Sequence, residues 1–232
     1  MCYKVHNMTI EYHDIKPWGR SFDEYVRMFS LTPADLKRKI LGCGDGPASF
    51  NAELTGRGGN VISIDPVYRF STDQIKQKIG ETYDDIIRQT RENRDKFVWQ
   101  EIGSIEELGR IRMSAMAKFL EDFPEGVMQK RYIPGELPLL PFDKKEFDLA
   151  LCSHLLFLYT DNLSLEFHLR SLGELCRVSK EVRIFPLVDV NANRSPYVDR
   201  VIDILRMKKL DVTEVKVAYE FQKGGNMMLK IC

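Results

Sequence analysis

The chain has 232 residues, 44% of them hydrophobic and 29% charged, a composition typical of a globular protein with its own core and not of a disordered one. Its 34 basic side chains balance its 34 acidic ones, so no long-range positive field attracts a polyanion and nucleic acid is not an expected partner. The five cysteines are scattered and form no Cys-x-x-Cys pair, so we expect neither a disulfide framework nor a structural zinc site. This pattern favours a reducing, cytoplasmic location.

The sequence predicts neither a membrane span nor a secretory signal. The most apolar stretch, residues 147–159, is too short to cross a bilayer and contains Asp148 and His154. Residues 1–14 are polar and aromatic and lack the apolar region of a signal peptide. We therefore expect no membrane partner.

The first elements in chain order are a helix, a strand and a glycine-rich loop. Residues 1–35 form an aromatic segment in which Phe22, Tyr25 and Phe29 are spaced as one helix face. A strand ending near Ile40-Leu41 runs into a loop containing Gly42, Cys43, Gly44, Asp45 and Gly46. A helix over Pro47–Leu54 and a strand over Val61–Ile64 follow.

Residues 71–130 predict a helical insertion after the second strand. Ile75, Ile79 and Ile86 lie on one stripe of a first helix. Ser104, with Glu107 three residues later, has the pattern of a capping box that opens a second helix. Two roles are open for this insertion: a lid over a binding site, or an extra packed layer.

Strands and helices alternate through the rest of the chain. The apolar run 147–152 predicts a central strand buried on both faces, and residues 182–185 predict another. Ser195-Pro196 predicts the start of a helix, and residues 213–221 and 227–231 predict two final strands. We therefore predict one domain over residues 1–232, with a doubly wound, mostly parallel α/β sheet and an antiparallel C-terminal edge hairpin.

The glycine loop and Asp65 predict a nucleoside site. Ligands of open α/β sheets bind at the carboxyl ends of the strands, where this loop lies, and a carboxylate at the end of the second strand can accept both hydroxyls of a ribose. The spacing departs from the dinucleotide pattern G-x-G-x-x-G, and Pro47 removes an amide that a pyrophosphate would use. An ordinary turn, with Asp65 as a cap, is the alternative interpretation.

Three segments together resemble the motifs of class I S-adenosylmethionine-dependent methyltransferases. Residues 40–46 resemble the family's motif I, and residues 61–65 resemble its motif II. Residues 135–142 followed by Phe147-Asp148-Leu149 are similar to its "G-D-x-x-x-L-P-F…F-D-L" segment, and the final hairpin to its reversed last strand. This resemblance covers residues from about 38 to the C-terminus and implies a Rossmann-like fold with a seven-stranded sheet.

The resemblance implies S-adenosyl-L-methionine as the cofactor and assigns residues to each part of it. The loop would cradle the methionine part, Asp65 would hold the ribose, Glu136 would meet the adenine amino group and Leu137 would pack on the ring. Ser153 and His154 would lie beside the transferable methyl group. Residues from the aromatic N-terminal segment would fold over the cofactor, with Arg20 facing its carboxylate. The expected cofactor contacts are Gly42, Cys43, Gly44, Gly46, Asp65, Glu136, Leu137, Ser153, Arg20, Trp18 and Tyr25.

His154 is the candidate catalytic base, because its position suits removal of a proton from a hydroxyl acceptor. A structural histidine bonded to backbone is the alternative. One departure from the family stands out: an acidic residue usually lies two places before the first glycine, to receive the cofactor's ammonium group, and here that residue is Ile40. No metal is expected, since only His6 and His13 approach a ligand spacing.

The sequence thus predicts methyl transfer to a small-molecule acceptor. Two other functions stay open. One is a non-catalytic S-adenosylmethionine-binding protein with a regulatory or scaffolding role, which the lack of an acidic residue at position 40 favours. The other is a nicotinamide-dependent oxidoreductase. The sequence leaves the identity of the acceptor and the oligomeric state undetermined.

Overall fold

A computed structural model describes Ile10 and residues 16–232; the expectations for His6, His13 and most of residues 1–15 lie outside these residues. Seven strands form one sheet in the order β3-β2-β1-β4-β5-β7-β6, and β7 runs antiparallel to the other six strands. The strands are β1 (Lys39–Cys43), β2 (Asn60–Ile64), β3 (Tyr132–Ile133), β4 (Phe147–Ser153), β5 (Ser179–Phe185), β6 (Val212–Lys216) and β7 (Met227–Ile231). The doubly wound, mostly parallel sheet of seven strands and its C-terminal antiparallel pair are confirmed.

Helices cover both faces of the sheet because its central strands are apolar on both sides. Leu41 of β1 packs with α5 (Leu165–Val178) and α6 (Val198–Met207), whereas the adjacent Ile40 packs with α1 (Phe22–Met28) and α2 (Phe50–Gly56). Successive strand residues point to opposite faces, so one strand contributes side chains to the hydrophobic cores on both sides of the sheet. Both residues are fully buried.

Helix α1 forms as its sequence predicts. Ser21 caps it, with a reciprocal capping box to Glu24, and Phe22, Tyr25 and Phe29 are all buried against the sheet. The Tyr25 and Phe50 rings stack with their centroids 4.6 Å apart. The segment before α1 is thereby held above the carboxyl ends of the strands.

The helical insertion after β2 is confirmed as two long helices, α3 (Thr72–Glu92) and α4 (Ile105–Met128). The turn between them touches the connection from β6 to β7: the Val98 amide donates to the Phe221 carbonyl at 2.7 Å, and the rings of Phe97 and Phe221 lie 4.8 Å apart. The insertion therefore starts at β2, reaches the opposite side of the sheet and returns to β3, passing across the carboxyl ends of the central strands.

Several boundaries differ from the sequence prediction, among them the start of α2, the end of β6 and the start of α6. Helix α2 begins at Phe50 and not at Pro47, so Pro47 lies in the loop. The amide that Pro47 lacks is therefore not one of the free amides at the start of the helix. Strand β6 ends at Lys216, before an irregular connection to β7. Helix α6 begins at Val198, two residues after Pro196, because Ser195 opens a turn before the helix; its hydroxyl accepts from the Tyr197 amide at 3.4 Å and lies 2.8 Å from the Thr160 hydroxyl.

Candidate functional site

A cavity of about 570 Å³ lies at the carboxyl ends of β1, β2 and β4, under α3 and residues 16–20. The register explains why residues distant in sequence meet there: Cys43 pairs with Ile64 on one side and with Cys152 on the other. The residues that follow these three therefore emerge together. All the sequence-predicted site residues except Gly42 line the cavity, namely Trp18, Arg20, Tyr25, Cys43, Gly44, Gly46, Asp65, Glu136, Leu137, Ser153 and His154.

The glycine loop adopts a backbone that other residues rarely take. Gly44 and Gly46 have φ angles of +70° and +53°. The Gly44 amide donates to the Ile64 carbonyl at 2.9 Å, and the Gly46 amide donates to the Asp65 carboxylate at 2.9 Å. Because both amides are engaged within the protein, the loop does not present them as a phosphate cradle. A pyrophosphate ligand is therefore disfavoured by these two engaged amides and not by Pro47, which lies outside the helix.

Asp65 follows β2 and is anchored by two backbone amides. One oxygen accepts from Gly46 and the other accepts from the Val67 amide at 2.8 Å. Burial, reinforced by the nearby charge of Glu136, raises the pKa of Asp65 to about 6 despite these hydrogen bonds. The carboxylate is thus fixed in orientation and keeps free lone pairs for a ligand.

Gly42 lies behind the cavity because another side chain occupies its face. A Cβ atom on Gly42 would lie 1.8 Å from Oδ2 of Asp45. The Asp45 carboxylate accepts hydrogen bonds from the Ser63 hydroxyl at 2.6 Å and the Tyr25 hydroxyl at 2.8 Å, and burial raises its pKa to about 6. Asp45 lines the cavity, and sequence reasoning missed it although it is the one charged residue among the loop glycines.

Arg20 brings a positive charge to the cavity. Its Nη1 donates to the Trp18 carbonyl at 2.7 Å, while its buried Nε has no hydrogen-bond partner within the part of the chain that the structure describes. Burial, and then the charge of Arg112, lowers the pKa of Arg20. No carboxylate among the described residues lies within ion-pair distance of it. A guanidinium in this state favours an anionic group from outside the chain.

His154 follows β4 with a φ angle of +52°, and its backbone amide donates to the Phe185 carbonyl at 2.7 Å. Its Nδ1 lies 2.8 Å from the Ser153 hydroxyl. Burial, and then the charges of Arg20 and Arg112, lowers the pKa of His154 well below its usual value. The imidazole is therefore neutral at pH 7, which a proton acceptor requires.

Two residues after β3 complete the wall beside Asp65. Leu137 is buried and offers an apolar surface to the cavity, whereas Glu136 is exposed at its edge. Glu136 lies close enough to Asp65 to raise the pKa of that carboxyl. An apolar side chain next to an acidic one suits a flat ring that carries hydrogen-bond donors.

The outer part of the cavity has an apolar floor and a polar roof. Trp18 packs against Tyr83 with centroids 5.9 Å apart, and the Tyr159 hydroxyl accepts from the Lys16 amide at 3.2 Å. Leu155, Leu163 and Phe167 continue the floor. The roof is the exposed edge of α3, with Gln74, Gln77, Lys78 and Glu81.

Among Ile10 and residues 16–232, no group of three or more His, Cys, Asp or Glu side chains could hold a metal ion. In the same part of the chain, no helix has the length and apolar character needed to span a membrane.

Known proteins resemble the chain in sequence and in outline. No protein-family model matches it. Magnesium protoporphyrin IX methyltransferase from Synechocystis, solved with bound S-adenosylmethionine, superposes with a TM-score of 0.48 at 10% identity, over 90% of this chain and 76% of that one. A methyltransferase from Aquifex aeolicus gives a TM-score of 0.42 at 16% identity, over 90% and 87%.

A relative in sequence is much nearer. An uncharacterized protein of Methanocaldococcus jannaschii is 35% identical over 214 residues, which are 92% of this chain and 94% of the relative. Identity at this level along nearly the whole of both chains means that the two share one fold. The chain belongs to the same protein family as this archaeal protein.

Proposed function

We propose that this protein is an S-adenosyl-L-methionine-dependent methyltransferase that acts on a small-molecule acceptor by in-line methyl transfer. The observation that carries the proposal is the cavity itself, in which a positive-φ glycine loop, the anchored Asp65 and an unpaired guanidinium meet at the carboxyl ends of the central strands. Its volume lies in the range of cavities that enclose ligands of this size.

The lining residues suit each part of the cofactor. Asp65 would accept the ribose hydroxyls, and Glu136 with Leu137 would take the adenine. Gly46 would let the ligand approach its backbone, since the nearest described atom to a Cβ there would be Asp65 Oδ2, at 4.0 Å. Arg20 would pair with the carboxylate of the amino-acid part. The other contacts we propose are Gly42, Cys43, Gly44, Trp18, Tyr25 and Ser153.

The chain's own contribution to catalysis would be alignment and proton transfer. The bound cofactor supplies a methyl group that its sulfonium has already activated. The floor and roof around His154 would hold the acceptor in line and keep water out. With its proton on Nδ1, shared with the Ser153 hydroxyl, His154 would use Nε2 to take a proton from the acceptor.

The balanced charge of the chain and the partly enclosed, mostly apolar cavity support a small acceptor over a nucleic acid. The unpaired cysteines that the structure describes, two of them buried, support a cytoplasmic setting. We therefore propose a small-molecule acceptor and a cytoplasmic location.

The test is calorimetric titration with S-adenosylhomocysteine. The unmodified protein and Asp73→Asn, which changes an exposed carboxylate on α3, should bind equally, and Asp65→Asn should bind at least tenfold more weakly because it loses a charged acceptor. Release of S-adenosylhomocysteine from the cofactor over a panel of small acceptors then tests turnover. His154→Asn should keep binding and lose about 10²-fold or more in turnover.

The outcomes separate the alternatives. Binding without turnover on any acceptor favours the non-catalytic, regulatory or scaffolding protein. No binding of S-adenosylhomocysteine, together with binding of a nicotinamide dinucleotide, favours the oxidoreductase and contradicts our proposal.

A further inference from the structure

The strand position that precedes the glycine loop cannot contact an ammonium group. Ile40 is fully buried in the apolar cluster that α1 and α2 form against the sheet. The α-ammonium of S-adenosylmethionine, if it enters a cavity, needs a carboxylate or several acceptors to replace its water. Such an acceptor has to come from elsewhere in the chain.

Asp45, which lies in the loop after β1, places its carboxylate on the face of β1 to which Ile40 belongs. Ile40 and Gly42 lie two residues apart on one strand, so their side-chain directions coincide. The Asp45 side chain folds back from the loop until its Oδ2 occupies the space that a side chain on Gly42 would fill. The carboxylate therefore lies against Gly42, two residues along the strand from Ile40 and on the same face, at the end of the strand that opens into the cavity.

The partners of Asp45 are hydroxyl groups and not cations. Ser63 and Tyr25 each donate one hydrogen bond to it. No Lys, Arg or His among the described residues forms an ion pair with Asp45 or with its neighbour Asp65. Two hydroxyl donors fix the direction of the carboxylate and leave it free lone pairs, while its negative charge stays unbalanced within the chain.

We propose that Asp45 binds the ammonium group of the cofactor's amino-acid part, in the role that an acid at position 40 would otherwise fill. Asp45 and Arg20 then form a pair of opposite charges for a zwitterion, with the ammonium at the glycine loop and the carboxylate under the N-terminal segment. This inference rests on the proposed cofactor. Ser63 is a positioning residue, because it does not line the cavity and reaches the ligand only through Asp45.

The experiment compares two ligands that differ by the group in question. S-Adenosylhomocysteine carries the amino-acid part, whereas 5′-methylthioadenosine keeps the adenosine and the sulfur and lacks it. Calorimetric titration at pH 7.5 should show that Asp45→Asn weakens S-adenosylhomocysteine about tenfold or more and changes 5′-methylthioadenosine by less than about twofold. Asp161→Asn, which changes an exposed carboxylate outside the cavity, should change neither.

Ser63→Ala gives a second measurement that does not remove the carboxylate. It should weaken S-adenosylhomocysteine by a smaller factor and leave 5′-methylthioadenosine unchanged, which a general loss of packing would not do. Equal weakening of both ligands in Asp45→Asn, or no weakening of S-adenosylhomocysteine, overturns the inference and leaves the proposed function intact. Failure of the unmodified protein to bind either ligand overturns both.

Discussion

Asp45 shows how a single residue can be unfavourable for the free protein and useful for binding. Burial disfavours its charged form, and its pKa is raised to about 6, against 3.8 for a free side chain. A cation from a ligand would remove this penalty. A group of this kind lowers the stability of the ligand-free protein at neutral pH while it increases the affinity for a positively charged ligand.

The raised pKa of Asp45 predicts a pH dependence with a definite sign. Between about pH 4 and pH 6 the folded state binds the Asp45 proton and the unfolded state does not, so the free energy of unfolding increases as the pH falls. Relative to Asp45→Asn, the unmodified protein should gain about 2 kcal/mol as the pH falls from 7.5 to 4.5. Urea unfolding of both proteins at each pH measures this difference.

Taking the difference between the two proteins removes the shared groups that do not interact with Asp45; Asp65, whose charge contributes to the raised pKa of Asp45, is the exception. His154, whose pKa is lowered, acts in the opposite direction over the same range, because the unfolded state alone takes up its proton. Its contribution cancels in the comparison. A stability difference that stays constant with pH would mean that Asp45 is ionised in the folded protein throughout, contrary to our expectation.

At the scale of elements, a buried ion pair joins three parts of the chain. Arg112 of α4 is fully buried; its Nη1 donates to Glu24 Oε1 of α1 at 2.5 Å, and its Nη2 donates to the Tyr219 hydroxyl at 3.3 Å. The Tyr219 hydroxyl in turn donates to Glu24 at 2.9 Å. Burial would raise the pKa of Glu24, but the charges of Arg112 and Arg20 outweigh it and lower the pKa to about 2.

Breaking this pair from one side should be strongly destabilising. Arg112→Met leaves the Glu24 carboxylate buried without its hydrogen-bonded cation, with only the more distant charge of Arg20 nearby, and the free energy of unfolding should fall by about 3–5 kcal/mol in a urea titration. Adding Glu24→Gln to Arg112→Met should restore part of the loss, because the uncompensated charge is then gone.

Arg110 is the matched control, since it is exposed on the same helix and, among Ile10 and residues 16–232, its ion-pair partner is Glu107, one turn earlier. Arg110→Met should leave the free energy of unfolding unchanged within error. An effect of Arg112→Met as small as that of Arg110→Met would show that the interaction does not hold α1 to α4.

The sequence predicted elements well where one local pattern decides them. The apolar run 147–152 became β4, and Ser104 caps α4 through the Glu107 amide at 3.1 Å. Prediction was wrong where a tertiary contact competes with the local signal. The Ser195 hydroxyl is shared between the Thr160 hydroxyl, at 2.8 Å, and the Tyr197 amide, at 3.4 Å, and α6 starts at Val198, later than the Ser-Pro pattern indicates.

The sequence predicted which segments form the candidate site, but it did not predict the side-chain contacts between them. Glycine spacing and the position of Asp65 after a strand locate the loop and the carboxylate. Nothing in a one-dimensional pattern shows that Asp45 folds back over Gly42, or that Ser63 of the next strand holds it there. Such contacts depend on the register between β1 and β2, which the sequence does not display.

At the scale of the whole molecule, the cavity is built from segments far apart in the chain. The carboxyl ends of β1, β2 and β4 form its inner end, α3 covers it, and residues 16–20 lie beside it. The turn between α3 and α4 is held at Phe97 by the connection that contains Phe221, so the insertion is fixed at its far end. Its role as a lid stays a prediction, which would concern the exposed first turns of α3 that border the cavity.

A ligand that joins these segments should stabilise the whole fold. At a free concentration one hundred times its dissociation constant, S-adenosylhomocysteine should add about 2.7 kcal/mol to the free energy of unfolding. For a chain of this length that corresponds to a rise in melting temperature of about 5–10 °C in a thermal scan. A nicotinamide dinucleotide at the same concentration should give no shift, because the amides of Gly44 and Gly46 are bonded within the protein and offer no phosphate cradle. The reverse result would mean that these loop hydrogen bonds open for a pyrophosphate, and the balance would move to the oxidoreductase.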